Sequence, residues 1–107
     1  MEATQRSRPP VAVADNVEKA AHITDILKAV AHPLRLRIVA VLCKREMQVN
    51  ALADRLGAPQ AIVSQQLRIL RMHRLVTAVR ASGYVTYRLR EPRLRDLVNC
   101  MEHCSLP

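Results

Sequence analysis

Phenylalanine and tryptophan are absent from this chain of 107 residues, and tyrosine occurs only as Tyr84 and Tyr87. A core built without large rings has to be aliphatic, which suits packed helices. The same shortage argues against single-strand and RNA readers, which stack bases on aromatic platforms. Gly57 and Gly83 are the only glycines, so no glycine-rich loop is available to cradle phosphate. No metal-hydrolase motif is present, and His22, His32, His73 and His103 are scattered; an enzyme is not expected. Long apolar runs are missing too. The longest clear one, Ile38–Cys43, is far too short for a membrane span. Met1–Pro10 is polar, with no apolar segment of the signal-peptide kind. A cytoplasmic location without membrane association is therefore expected.

Negative charge is nearly missing from one long stretch. Between Arg55 and Arg95 the only acid is Glu91, against Arg55, Arg68, Arg71, Arg74, Arg80, Arg88, Arg90, Arg93 and Arg95. The net charge of this stretch therefore equals that of the whole chain, +8. An excess confined to one segment is the electrostatic footprint of a DNA-binding element. The rival class is a protein-interaction module, which would lack the steep loss of binding with salt that phosphate contacts produce. With 50% hydrophobic residues, the chain is suited to one folded domain.

Residues 1–14, with Pro9-Pro10, read as a flexible arm that could carry Arg6 and Arg8 to DNA, and residues 15–107 as the folded domain. Val17, Ala20, Ile23, Ile26, Leu27 and Val30 recur at helical steps, giving a first helix over about Asp15–Ala31. Pro33 ends it and opens a second, with His32 as a weak N-cap, Leu34, Ile38, Val41 and Leu42 inward, and Arg35 and Arg37 outward. Asn50 is expected to cap a short third helix that Gly57 closes in the left-handed conformation. After a tight turn, Pro59 opens a fourth helix running to about His73, which completes a helix-turn-helix. Val63, Leu67 and Leu70 face inward. Outward stand Gln60, Ala61, Ser64, Gln65 and Arg68, a set suited to base edges in a major groove. Two alternating strands, Val76–Arg80 and Tyr84–Leu89, flank the turn Ala81-Ser82-Gly83. Arg80 and Arg88 are expected to hold phosphate there. Pro92 opens a final helix with Leu94, Leu97, Val98 and Met101 on one face. The fold class is thus mainly α with a small β-hairpin wing. The apolar stripes of the first and last helices call for a homodimer, which would read an inverted repeat in double-stranded DNA.

Over roughly residues 20–104 the chain resembles the ArsR/SmtB family of winged-helix repressors. The resemblance rests on Leu27-Lys28-Ala29-Val30-Ala31-His32-Pro33-Leu34-Arg35-Leu36-Arg37-Ile38, on Leu52-Ala53-Asp54-Arg55-Leu56-Gly57, on Val63-Ser64-Gln65-Gln66-Leu67-Arg68-Ile69-Leu70, and on Leu75-Val76 with the wing Arg80–Leu89. It implies a winged helix-turn-helix homodimer joined through the first and last helices, and repression relieved by an effector. The chain departs from the family where Pro59 replaces a frequent Ser and Gln66 a frequent His.

Cys43, Cys100 and Cys104 make an odd number of thiols, so no disulfide framework is expected. Cys100 and Cys104 are spaced to share a helical face. The three thiols could take a thiophilic metal or metalloid ion such as arsenite, or zinc with His103, and otherwise they are small core residues. No other cofactor is expected. Lys44 and Arg45 favour a Cys43 thiolate, against the helix C-terminus. The family's metalloid box of cysteines lies where this chain has Gln48-Val49-Asn50-Ala51-Leu52, and its zinc pattern on the last helix is met only by Asp96 and His103. The arrangement is instead similar to a thiol-sensing branch of the family. That similarity implies a link between Cys43 and Cys104, or Cys100, formed by redox chemistry or reactive sulfur.

Overall fold

The computed structural model describes residues 11–105, so the expected arm lies outside the described residues up to residue 10. Its last part is a 3-10 turn, Val13–Asp15. Five helices and one hairpin follow: α1 Val17–Val30, α2 Pro33–Leu42, α3 Val49–Leu56, α4 Gln60–Met72, β1 Val76–Ala81, β2 Tyr84–Leu89 and α5 Arg93–Glu102. The two strands form one antiparallel sheet. Ile38, Leu42, Leu52, Leu67, Leu70 and Leu94 are fully buried with Val39 and Val63, so the core is aliphatic and draws on every helix from α2 to α5. Among the described residues no charged or polar one is buried.

The helix ends show which local signals operate. Asn16, not Asp15, starts α1, and its Oδ1 accepts from the Lys19 amide at 2.9 Å. His32 caps α2 through Nδ1, which accepts from the Leu34 amide at 3.1 Å. Asn50 does not cap α3. Gln48 is the boundary residue, and the Asn50 side chain accepts from the adjacent Ala51 amide. The helix starts early because the Met47 backbone is held against Tyr87 of β2 by two hydrogen bonds, 3.1 and 2.7 Å, which fixes the chain just before Gln48. This bridge gives the wing a third point of pairing. Pro59 is likewise the extended residue ahead of α4 rather than its first residue, with ψ of 141°.

Gly57 closes α3 at φ 63°. The Ala58 amide donates to Ala53 and the Gly57 amide to Asp54, the paired bonds of a Schellman ending. Arg74 ends α4 in the same way at φ 61°, although it carries a Cβ; a left-handed residue of this kind costs roughly 1–2 kcal/mol. The hairpin loop is shorter than expected. Ala81 pairs with Tyr84, so Ser82 and Gly83 alone make the turn, at φ 52° and 81°. Positive φ at both positions is the primed turn whose twist matches the flanking strands.

Arg35 and Arg37 were expected to face solvent; Arg35 is half-buried and Arg37 is exposed, and both hydrogen-bond back to the protein. Arg35 Nε donates to the Ala29 carbonyl at 2.6 Å and its Nη1 to Gln66 Oε1 at 2.9 Å. Arg37 Nη2 donates to the Leu56 carbonyl at 3.2 Å. Each guanidinium thus meets carbonyls at a helix C-terminus, α1 for one and α3 for the other, where a cation is favoured. Arg35 also ties the end of α1 to the middle of α4.

Candidate nucleic-acid interface

On α4, Val63, Leu67 and Leu70 are buried, which fixes the helix rotation. Gln60, Ala61, Ser64, Gln65 and Arg68 are consequently exposed, as the helical spacing requires. Ala61, Ser64, Gln65 and Arg68 line one concave surface of about 590 Å³ together with Ile62, Arg71 and Tyr87. Gln60 does not line it and stands at the helix start. Pro59 offers no side-chain cap, so the first-turn amides are left to water or to a phosphate oxygen. Ile62, exposed at 41%, escaped the sequence reading; its place one residue past Ala61 on the exposed side of α4 was the available signal. An exposed β-branched residue beside short polar ones can meet a thymine methyl group.

Tyr87 reaches this surface because of the strand register. Ala78 pairs with Tyr87 and Arg80 with Val85, so Arg80 and Tyr87 share a face of the hairpin. Arg88 pairs with Thr77 and projects from the opposite face. It lies 3.9 Å from Glu46. The two wing arginines expected to act together are therefore separated by the sheet. Arg80 is on the α4 side, close to the turn; Arg88 is on the far side, at the wing base.

The thiols are dispersed. Cys43, at the end of α2, is half-buried, and its Sγ approaches the Leu94 carbonyl at 3.9 Å. Arg95 Nε donates to the Cys43 carbonyl at 3.2 Å. Burial pushes the Cys43 thiol pKa up, and Arg95 and Lys44 offset this only in part, with Glu102 adding to the rise. Of the opposing pulls on this thiol, those against the thiolate prevail, and desolvation is the largest of them. A small cavity of about 270 Å³ beside Cys43 is lined by Lys44, Arg95, Asp96, Val98, Asn99 and Glu102. Cys100 and Cys104 are exposed and do not line it. Among the described residues no three of His, Cys, Asp and Glu stand together to hold a metal ion. Among them, too, no helix is long and apolar enough to cross a membrane.

Comparison with known proteins agrees with this geometry. The profile described as "Bacterial regulatory protein, arsR family" matches residues 32–78, from the cap of α2 into β1. The biofilm growth-associated repressor of Xylella fastidiosa is 34% identical over 95 residues, covering 89% of this chain and 83% of the repressor. The crystal structure of the transcriptional repressor BigR from Xylella fastidiosa superposes with a TM-score of 0.80 at 32% identity, over 90% of this chain and all of that one. Reduced HlyU from Vibrio cholerae superposes with a TM-score of 0.75 at 29% identity, over 82% of this chain and 95% of that one. Matching identity, a shared fold over nearly the full length and an exposed helix flanked by a wing lead to one conclusion: the chain belongs to the arsR family of bacterial regulatory proteins and is a winged-helix, DNA-binding transcriptional repressor, not an enzyme.

Proposed function

We propose that the repressor acts as a homodimer on an inverted-repeat operator and is released by thiol chemistry at Cys43. The reading of DNA rests on the concave surface that gathers Ala61, Ser64, Gln65 and Arg68. Gln65 and Arg68 carry the groups that pair with adenine and guanine edges. Gln60 and Arg80, at the helix start and beside the turn, contact the flanking phosphates. The dimer rests on apolar surface that one protomer leaves open: Val17 is 86% exposed, Leu27 45% and Met101 48%. Half-sites would then lie roughly 34–36 Å apart.

The switch rests on where Cys43 sits. It joins α2 to α5, with its thiol on Leu94 and its carbonyl on Arg95, so a change at its sulfur is felt by the helix proposed to hold the dimer. With a polysulfide as oxidant and sulfur donor, Cys43 and Cys104, or Cys100, give up two electrons and two protons and become linked directly or through sulfur taken from the polysulfide, whose remaining sulfur is reduced and leaves as hydrosulfide. The link can shift binding only if it fits the DNA-free arrangement better. A direct disulfide needs Cα atoms within roughly 7 Å, whereas an inserted sulfur chain tolerates a longer span. The test is operator release by polysulfide, followed with mass spectrometry of the treated protein. Wild type should release and show the linked pair, while Cys43→Ser stays bound with unchanged affinity when reduced. Normal release by Cys43→Ser, or release by arsenite alone with no linkage, overturns the redox reading in favour of a thiophilic ion.

A further inference from the structure

Positive charge on this molecule is divided by the hairpin. Arg68 and Arg71 face the concave surface of α4. A second concavity, of about 650 Å³, lies between the end of α2, the wing base and the start of α5, with Lys44, Arg45, Arg88, Arg90 and Arg95 around it. Among the described residues Glu46 is the only acid lining it. We propose that this second concavity binds a small, multiply charged anion of the phosphate class, of the size of a phosphorylated metabolite.

Five cations drawn from three parts of the fold repel one another, and a concave wall concentrates their field. Their existing partners neutralise little of it. Glu46 reaches Arg88 only at 3.9 Å, and Lys44 shares an exposed pair with Glu102 at 3.3 Å. Arg95 gives its Nε to the Cys43 carbonyl. Among the described residues neither Arg45 nor Arg90 has a carboxylate partner. Four of the five cations are arginines, whose planar fork fits phosphate oxygens in pairs. Thr77 adds a hydroxyl donor, and Leu42 and Leu89 add apolar lining. The volume falls within the range of small-molecule sites, roughly 300–1,000 Å³.

A small anion suits this concavity better than the DNA backbone. The strand register turns Arg88 away from Arg80 and Tyr87, so this side of the wing faces away from α4. An occupant would touch the wing, the loop after α2 and the first turn of α5 at once, beside Cys43.

The probe is inorganic pyrophosphate, titrated calorimetrically into the reduced full-length protein. Arg45 and Arg90 are exposed, so the paired substitution Arg45→Gln with Arg90→Gln leaves the core intact, which circular dichroism verifies. The expected result is one site per protomer, weakened about tenfold or more by that pair and changed by less than about twofold in Arg68→Ala. Loss in Arg68→Ala with retention in the paired variant overturns the proposal and places the anion on the α4 surface. So does a paired variant that binds pyrophosphate normally. A fall of about two in the operator salt slope of the paired variant also overturns it, because each phosphate contact contributes about 0.9 and the concavity would then hold DNA.

Discussion

Gln65 is the residue on which the proposed base reading turns. It is exposed on the concave face of α4 between Ser64 and the half-buried Gln66, and Gln66 is already engaged by Arg35. Two adjacent glutamines thus have different duties, one free for DNA and one fastening the helix. Gln65→Ala should lower the ratio of specific to nonspecific affinity by about 1–3 kcal/mol. Competition binding with operator and scrambled duplex measures this, and equal weakening on both sequences would remove the base-reading role. At this scale the sequence was readable where a residue type has one physical use. Gly57 suits a left-handed φ and takes it, and His32, read as a weak N-cap or a packing residue ahead of Pro33, does cap. It was not readable where long side chains choose between partners. Arg35 and Arg37 looked like solvated charges, yet their targets, Ala29 and Leu56, are carbonyls exposed only when α1 and α3 end where they do.

Elements followed the hydrophobic period closely, and their ends departed by a residue or two for reasons outside each element. The start of α3 moved because Met47 pairs with Tyr87, a contact spanning forty positions that no local pattern encodes. The left-handed Arg74 was hidden for a related reason: the tertiary need to turn α4 into β1 overrides the preference for glycine. The opening of α5 carries its own electrostatic device. Arg93 donates to both oxygens of Glu91 at 2.8 Å, its amide donates to the same carboxylate at 3.0 Å, and its Nη2 lies 3.2 Å from His22 Nε2 on α1. The Arg93 side-chain and backbone hydrogen bonds hold the Glu91 pKa down to about 2 from the usual 4.5. A depressed carboxylate stabilises the fold fully above its unfolded pKa, and that contribution disappears as pH falls from about 4.5 towards 2. Glu91→Gln should therefore lower Tm near neutral pH by a few degrees at most, since solvent around the exposed Arg93 guanidinium screens the pair although the Glu91 side chain is largely covered. The difference from wild type should close between pH 4.5 and 2. Thermal melts giving a constant difference down to the lower limit would mean that the carboxylate has no such role.

The molecule as a whole is where the sequence reading was coarsest. Net charge on the segment from Arg55 to Arg95 pointed to a single footprint, but a hairpin alternates its side chains, and Arg80 and Arg88 part company across it. The apolar stripes led to the expectation of a dimer. On α1, Ala29 and Val30 are buried and Ile26 packs partly against the core, while Val17 and Leu27 stay open. A second apolar surface, a groove lined by Leu36, Ala40, Val98 and Met101 with Arg37 and Glu102, lies between α2 and α5. Leu27→Asp combined with Met101→Asp should yield a folded monomer whose operator affinity drops by about a hundredfold or more, because two half-sites are no longer held together. Sedimentation of reduced wild type as a monomer at micromolar concentration would overturn the dimer. The aromatic shortage has a practical consequence as well. Tyr84 and Tyr87 are the only chromophores of the chain that absorb near 280 nm as rings, and both lie on β2, one beside the turn and one in the concave face of α4. The rest of the protein is optically silent in that band, so intrinsic fluorescence reports from the wing alone, and the molecule carries its own unlabelled probe at the surface proposed to meet DNA.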